Sequence, residues 1–407
     1  MSKRKGQSRW ISQRGARSDH PLGPTRRGEH HLASRLQRRI FKTPLYTSFK
    51  RPSSQGGVDM SLLTDEEQQL QIFCRQYLQL VDADALTWPS SELLKKPNVQ
   101  QWLFEHMFDL DSNRFLPPER YQARVLKKLM TRIEEAIEDP EEDEISDNLM
   151  SALSLLLSSN LPSESASAQA KSYVTYDFGQ ERTVTLLESR SIISSSGTTG
   201  LRTWEAALHL GAYLSTETGS QWIRGKRILE LGAGTGLLSI FCAKHVDASR
   251  ATITDGDEGV VDSIKTNVFL NELDTAANTE SIVLRWGRSC ALRDSLYYDE
   301  GQQNEYDVVL GADVTYDKTV IPALVATLAD LLQRQPSLDI LIAATIRNEE
   351  TFEAFSVVCR RNGLDHQEVQ FAPPLAKRQR GPFYATTTPI RIVKISKVGD
   401  SDPFSLS

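Results

Sequence analysis

The amino-acid sequence predicts an α/β protein, in which an all-helical N-terminal domain precedes a sheet covered by helices on both faces. From residue 60 to residue 157, apolar side chains recur at helical spacing. From residue 171 onward, short apolar strands alternate with helical segments, which predicts a sheet. Residues 158–170 are small and polar, as in a flexible linker, so we place the domain boundary there.

The predicted helical domain, residues 60–157, has a well-marked first helix. Thr64 and Glu67 have the spacing of a capping box, in which the Thr64 hydroxyl accepts from the Glu67 amide and the Glu67 carboxylate reaches back. Residues 121–137 place apolar side chains on one helix face, and the apolar stretch 149–157 predicts a further helix. Together these segments predict a small all-helical domain.

Both chain ends are predicted to lie outside the folded domains. Residues 1–59 contain 14 Lys and Arg and three acidic residues, a net charge of +11. They are rich in Arg, Ser, Gly and Pro without apolar periodicity, which predicts a disordered basic tail. Three interpretations remain open: a nucleic-acid-binding arm, an organelle transit peptide, or a dispensable extension ahead of Met60. Residues 399–407 form a predicted C-terminal tail.

The composition of the body narrows the class of protein. The whole chain has a net charge of −6, so residues 60–407, the body of the chain, have a net charge of −17. This charge repels nucleic acid and attracts a basic partner surface. No apolar run is long enough to span a bilayer. The four cysteines lack a Cys-x-x-Cys pair, which argues against a zinc site and a disulfide framework. We therefore expect a cytoplasmic protein without metal or membrane association.

A glycine-rich turn lies between a buried strand, residues 227–231, and an apolar helix, residues 237–243. Its sequence is Glu230-Leu-Gly-Ala-Gly-Thr-Gly236. Glycines let the backbone turn sharply and approach a ligand, while amides at the helix start favour an anionic group. The spacing fits neither a G-x-G-x-x-G dinucleotide fingerprint nor a Walker loop, which needs Gly-Lys-Ser/Thr. The segment that begins at Glu230 therefore predicts a cofactor site of another kind.

Two side chains follow the next strands at the same edge. Asp255 ends the strand 251–254, where a carboxylate is placed to accept from both ribose hydroxyls of a bound adenosine. The alternative role is a cap for the following helix, for which Asp257 is the more natural residue. Trp286 ends the strand 281–285 and is placed to stack on adenine, with a core position as the alternative.

The fourth strand, residues 306–310, ends in Gly311-Ala-Asp-Val-Thr-Tyr-Asp317. In an open α/β sheet, the carboxyl ends of the strands surround the ligand crevice. Asp313 and Tyr316 are therefore expected at this crevice, where a reacting group would point.

The motif set resembles a known family. The tract Gly197-Thr-Thr-Gly-Leu-Arg-Thr-Trp204-Glu-Ala-Ala207, the glycine segment and Gly-Ala-Asp-Val-Thr-Tyr are similar to the seven-stranded (class I) protein-lysine methyltransferases with an Asp-x-x-Tyr signature. Within them, the chain resembles the elongation factor 2 lysine methyltransferases of fungi and animals, over about residues 60–395. The resemblance implies a seven-stranded class I methyltransferase (Rossmann-like) sheet over residues 171–398. Because every cofactor motif follows the predicted linker, whereas residues 60–157 are periodic in apolar residues, we expect the N-terminal all-helical domain to act in substrate recognition.

The resemblance also implies a ligand set. S-adenosyl-L-methionine is the implied cofactor, and a protein, elongation factor 2, is the implied substrate of a monomeric enzyme. Together with Glu230 of the glycine segment, the implied cofactor-binding residues are Trp204, Gly232, Ala233, Gly234, Asp255, Trp286 and Ala312. Asp313 and Tyr316 fall on the signature that lines the lysine pocket. From composition alone, Trp204 would be only the start of an amphipathic helix.

Methyl transfer from a sulfonium is an in-line displacement, so the enzyme mainly has to align the amine and exclude water. A lysine, with a pKa of about 10.4, must first lose its proton, and a narrow apolar pocket lowers that pKa by desolvation. Asp313 and Tyr316 would orient the amine. The sequence leaves open whether Asp313 or water takes the proton.

Three other functions fit the sequence less well. A nucleic acid methyltransferase would carry an Asn/Asp-Pro-Pro-Tyr turn after the fourth strand, and the segment 312–316 has no proline, so no nucleic acid partner is expected. A small-molecule methyltransferase does not explain the helical domain. A non-catalytic S-adenosylmethionine-binding module is disfavoured by the intact glycine loop, Asp255 and Asp-x-x-Tyr signature.

Overall fold

A computed structural model describes residues 64–139, 143–189, 199–275, 278–287 and 306–399, which lie in one compact unit. The predicted basic tail 1–59 lies outside these residues, as does the predicted C-terminal tail beyond Gly399. Within the described ranges, no helix combines the length and apolarity needed to cross a membrane. The same ranges contain no cluster of potential metal ligands.

Helices come first in the described chain. They are α1 (Asp65–Leu78), α2 (Ser91–Leu94), α3 (Pro97–Met107), α4 (Glu119–Ala136), α5 (Asp147–Ser158) and α6 (Glu164–Gln169). The capping box at the start of α1 is confirmed: the Thr64 hydroxyl accepts from the Glu67 amide at 3.3 Å, and the Glu67 carboxylate accepts from the Thr64 amide at 2.9 Å. Helix α6 lies inside the segment predicted as a linker. Ser163 caps this helix by accepting a hydrogen bond from the Ala166 amide.

Strands and helices then alternate. The strands are β1 (Lys171–Asp177), β2 (Thr183–Ser189), β3 (Arg227–Leu231), β4 (Arg250–Asp255), β5 (Thr279–Val283), β6 (Val308–Ala312), β7 (Asp339–Thr345), β8 (Leu364–Val369) and β9 (Ile390–Lys397). The helices among them are α7 (Glu205–Leu214), α8 (Glu217–Ser220), α9 (Leu237–His245), α10 (Glu258–Leu270), α11 (Ile321–Arg334) and α12 (Glu349–Arg361).

The strands form a two-stranded hairpin, β1–β2, and a seven-stranded sheet in the order β5-β4-β3-β6-β7-β9-β8 among the described residues. Strand β9 is antiparallel to β7 and β8, and the other pairings of the large sheet are parallel. The predicted α/β fold with seven strands is confirmed. Because β3 is central, the glycine segment that follows it starts at the middle of the sheet edge.

Alternate residues of the central strands face two apolar cores. Ile228 and Val308 belong to a core shared with helices α1–α5, α7, α9 and α10, whereas Leu229 and Val309 belong to a core shared with α11 and α12. The sheet is therefore covered on both faces, as expected for parallel strands.

The helical region packs directly onto the sheet domain. One continuous apolar core contains side chains of α1–α5 and of the sheet. The Arg75 guanidinium of α1 pairs with the Asp177 carboxylate of β1 at 2.8 Å, and both side chains are almost buried. Gln79 accepts from the Phe383 amide at 2.8 Å. The helical region and the sheet thus share one core.

Two asparagines, Asn267 in α10 and Asn271 at the C-terminal cap of α10, fix the hairpin beside the sheet. Asn267 accepts from the Leu187 amide at 2.8 Å and donates to the Thr235 carbonyl of the glycine turn at 2.9 Å. Asn271 accepts from the Thr185 amide and donates to the Thr185 carbonyl. The hairpin and the glycine turn therefore have a fixed relative position.

Candidate functional site

A cavity of about 680 Å³ opens at the carboxyl ends of the parallel strands, a size that suits a small-molecule ligand. Its walls come from the glycine turn, the ends of β4, β6 and β7, and the segment before α7. It brings together every site residue named from the sequence: Trp204, Glu230, Gly232, Ala233, Gly234, Asp255, Trp286, Ala312, Asp313 and Tyr316. Their individual roles remain predictions.

The glycine turn needs glycine at two positions for reasons of space and conformation. Gly232 has φ +62°, and a Cβ there would lie 2.9 Å from Val314 and 3.0 Å from Trp286. Gly234 has φ +55°, and a Cβ would lie 3.1 Å from the Gly200 carbonyl. Any side chain at these two positions would therefore displace the neighbouring residues and strain the backbone.

Asp255 lies at the end of β4 with its carboxylate held by backbone amides. Its oxygens accept from Gly234 N at 3.1 Å and from Asp257 N at 3.1 Å. Burial raises the pKa of the Asp255 carboxyl, and these hydrogen bonds oppose the shift. The capping role belongs to Asp257, which accepts from the Val260 amide at 3.0 Å, as expected. Because a carboxylate has about four acceptor positions, Asp255 can also accept from a ligand.

Two tryptophans border the cavity. Trp286 is half-buried, packs over Gly232 and touches the second apolar core at its margin. Trp204 begins α7, and its indole nitrogen donates to the Thr199 carbonyl at 3.1 Å. The guanidinium of Arg347 lies 5.1 Å from the centre of the Trp204 ring, within the range of a cation–π contact.

Glu230 is the most buried titratable group of the cavity wall, with 3% of its surface exposed. Its carboxylate accepts from the Ser239 amide in the first turn of α9 at 2.9 Å. Burial raises the pKa of Glu230 to about 7, although hydrogen bonds from Ser239 oppose the shift. A carboxylate near a helix N-terminus is favourable, which explains why an acid is tolerated here.

The signature residues lie at the opposite wall. Asp313 has φ +52°, and its carboxylate accepts from Thr345 N at 2.7 Å and from Thr345 Oγ1 at 3.0 Å. Burial raises the pKa of Asp313, while the Thr345 bonds and the Arg347 charge lower it. Tyr316 is 63% exposed at the cavity mouth. This wall therefore has a fixed carboxylate and an accessible phenol.

Beside the cavity lies a buried polar network that the sequence patterns did not predict. The Glu188 carboxylate accepts from Thr203 N at 3.2 Å, Thr203 Oγ1 at 2.6 Å and Tyr176 OH at 3.0 Å. Thr203 Oγ1 also shares a hydrogen bond of 2.7 Å with Thr235 Oγ1 of the glycine turn. The only signal in the sequence was an acidic residue, Glu188, within a predicted strand, and this signal does not reveal which side chains bond to it.

The strand order, the glycine turn and the cavity define a Rossmann-like methyltransferase. Residues 189–360 match the lysine methyltransferase family. Protein-lysine N-methyltransferase EFM3 of Chaetomium thermophilum is 45% identical over 331 residues, which cover 80% of this chain and 97% of the relative. The chain belongs to the lysine methyltransferase family.

Two further relatives are more distant. Protein-lysine N-methyltransferase EFM3 of Saccharomyces cerevisiae is 32% identical over 56% of this chain and 69% of its own length. Human protein-lysine N-methyltransferase EEF2KMT is 30% identical over 51% of this chain and 62% of its own length. The resemblance inferred from the motifs and the expected enzyme class are thereby confirmed.

Glu230→Gln is expected to change the pH dependence of stability. Between an ordinary glutamate pKa of 4.5 and about 7, the folded state holds a proton that the unfolded chain has released. The free energy of unfolding of the wild type therefore falls as pH rises through this window and is level above it. Glutamine does not titrate, so the variant lacks this loss of stability. In urea denaturation, the free energy of unfolding of the variant should therefore rise relative to that of the wild type, by on the order of 2 kcal/mol from about pH 5 to pH 8. An equal difference at both pH values would contradict this.

Proposed function

We propose that this chain is an S-adenosylmethionine-dependent protein-lysine N-methyltransferase that acts on a lysine of translation elongation factor 2. The observation that carries the proposal is the single cavity that holds the glycine turn and Asp255 beside Asp313 and Tyr316. The Chaetomium thermophilum relative, which the chain covers almost completely, is a protein-lysine N-methyltransferase by name, and this supports a protein-lysine substrate. The motif resemblance to the elongation factor 2 subgroup supports the particular protein.

The residues of the cavity fit S-adenosylmethionine. The glycine turn offers backbone that no Cβ obstructs, Asp255 offers a carboxylate for ribose hydroxyls, and the half-buried Trp286 offers an aromatic face. Trp204, Glu230 and Ala312 complete the wall. When bound, this cofactor supplies an activated methyl group on a sulfonium.

The chain's own residues then have to prepare the amine. The Asp313 carboxylate, which accepts a hydrogen bond from Thr345, would hold the lysine amine, and the Tyr316 hydroxyl would offer a second polar contact at the mouth. Closure of the mouth by the substrate excludes water and lowers the pKa of the lysine, which frees its lone pair. Orientation of that lone pair is the main catalytic task.

The proposal includes a monomeric enzyme in the cytoplasm, where the translation machinery works. Its alternatives are methylation of another protein or of RNA, and a non-catalytic S-adenosylmethionine-binding module. The acidic body of the chain, at −17, favours a basic protein surface over RNA.

Transfer of labelled methyl to a lysate separates these alternatives. The lysate comes from cells that lack this enzyme, so its target is unmodified. We expect one labelled protein band at the size of elongation factor 2, with the label released as methylated lysine on hydrolysis. A ribonuclease-treated lysate is the control. A labelled band at another size would show that the substrate is a different protein. Loss of the label after ribonuclease treatment would show that the substrate is RNA.

Substitutions of two aspartates should affect different steps, cofactor binding in one variant and methyl transfer in the other. Asp255→Ala should weaken S-adenosylmethionine binding by roughly 1–3 kcal/mol, because the ribose loses a charge-assisted partner. Asp313→Asn keeps a residue that tolerates positive φ, so cofactor affinity should hold while methyl transfer falls about 100-fold or more. Calorimetry and initial rates measure the two quantities. Equal losses of binding and transfer in Asp313→Asn would assign that residue a structural role.

We also propose that the helical domain takes part in substrate recognition. Helix α5 buries only Leu149 and leaves Leu155 and Leu157 exposed at 70% and 61%. The chain before it, residues 134–147, has nine acidic residues and no Lys or Arg. Exposed leucines on a helix that follows an acidic stretch of sequence suit a protein substrate whose surface is both apolar and basic.

Replacement of both exposed leucines tests this role. Leu155→Asp with Leu157→Asp should raise KM for elongation factor 2 about fivefold, because most interface side chains contribute less than about 1 kcal/mol each, so that the two together contribute about 1 kcal/mol. Stability should hold because both side chains are exposed in the folded chain. Val398→Asp, at a position 65% exposed elsewhere, is the matched control. An unchanged KM in the double variant would show that α5 does not take part in substrate recognition.

A further inference from the structure

Arg347 lies between two carboxylates at the cavity mouth. Its Nη2 is 2.6 Å from Glu205 Oε2 in the first turn of α7, and its Nη1 is 3.7 Å from Asp313 Oδ2. The first distance is a hydrogen-bonded ion pair, whereas the second is an ion pair without a hydrogen bond. The guanidinium is therefore held on the Glu205 side.

Asp313 has acceptor capacity that Arg347 does not use. Each of its oxygens accepts one hydrogen bond from Thr345, at 2.7 and 3.0 Å. A carboxylate oxygen can accept two, so one position remains on each oxygen. Only 9% of the Asp313 side chain is exposed, which limits the approach to these positions. A substrate amine and the Arg347 guanidinium would compete for them.

We propose that Glu205 is a positioning residue that holds Arg347 away from Asp313 and so keeps the Asp313 carboxylate available to the substrate amine. This inference rests on the proposed function. The Glu205 side chain is 25% exposed, so solvent screens its charge only in part. The Trp204 ring, 5.1 Å from the guanidinium carbon, supports the same placement.

Without the Glu205 charge, Arg347 has one remaining carboxylate within 4 Å among its described contacts, that of Asp313. A small rotation of its side chain would turn the 3.7 Å approach into a hydrogen bond. The amine would then have to displace a cation before it could bind. The defect would arise from Arg347, so removal of Arg347 should relieve it.

The structural test uses Glu205→Gln, which keeps the size of the side chain and removes its charge. A crystal structure of the variant is expected to show Arg347 and Asp313 at a hydrogen-bonded distance of about 2.8–3.0 Å. A separation that stays near the original one, or grows, would overturn the proposal. This measurement does not depend on methyl transfer or on the identity of the substrate.

The kinetic test adds Glu205→Gln/Arg347→Met. With elongation factor 2 from cells lacking this enzyme, E205Q should lower kcat/KM about tenfold and leave the Kd for S-adenosylmethionine within about twofold, and the double variant should recover most of the loss. If the loss came only from the charge of Glu205 at the start of α7, removal of Arg347 would not restore activity, and the proposal would fail. If E205Q closes the Arg347–Asp313 pair but the wild type does not methylate elongation factor 2, the positioning role stands and the proposed substrate is wrong.

Discussion

The architecture of the site depends on one buried carboxylate, that of Glu188. A buried acid is costly unless donors satisfy it, and here Tyr176 and the amide and hydroxyl of Thr203 do so. Burial raises the pKa of Glu188, and its hydrogen bonds oppose the shift. Because Thr203 also bonds to Thr235, the hairpin, the segment before α7 and the glycine turn form one connected unit. The close approach of Gly234 to Gly200 and the position of Trp204 follow from this connection.

Features encoded by neighbouring residues could be predicted from the sequence. The capping box of Thr64 and Glu67, the glycine turn and the cap at Asp257 each depend on spacings of a few residues. Strand β3 has the predicted bounds, whereas β6 runs over Val308–Ala312 instead of 306–310, and β5 over Thr279–Val283 instead of 281–285. Strand ends depend on which neighbours offer hydrogen bonds, and β6 is extended at its end by pairing with β7.

Contacts between distant parts of the chain could not be predicted in the same way. Thr345 and Arg347 meet Asp313 because β7 lies beside β6 in the sheet order, which no local pattern encodes. Likewise, the apolar stretch 149–157 predicted a helix, and α5 forms there, but this helix buries only Leu149. Apolar spacing predicts that a helix forms, whereas its burial depends on what packs against it.

The signature aspartate illustrates how a rigid element can define a reactive group. The Asp313 amide donates to Ala343 of β7 at 2.9 Å, and its carboxylate accepts from Thr345 two residues later. Asp313 is thus fixed through both backbone and side chain to a central strand. Its φ of +52° suits aspartate and asparagine better than longer or branched residues. Of these two, only aspartate carries a charge, so the proposed contact with a lysine amine would favour aspartate at this position.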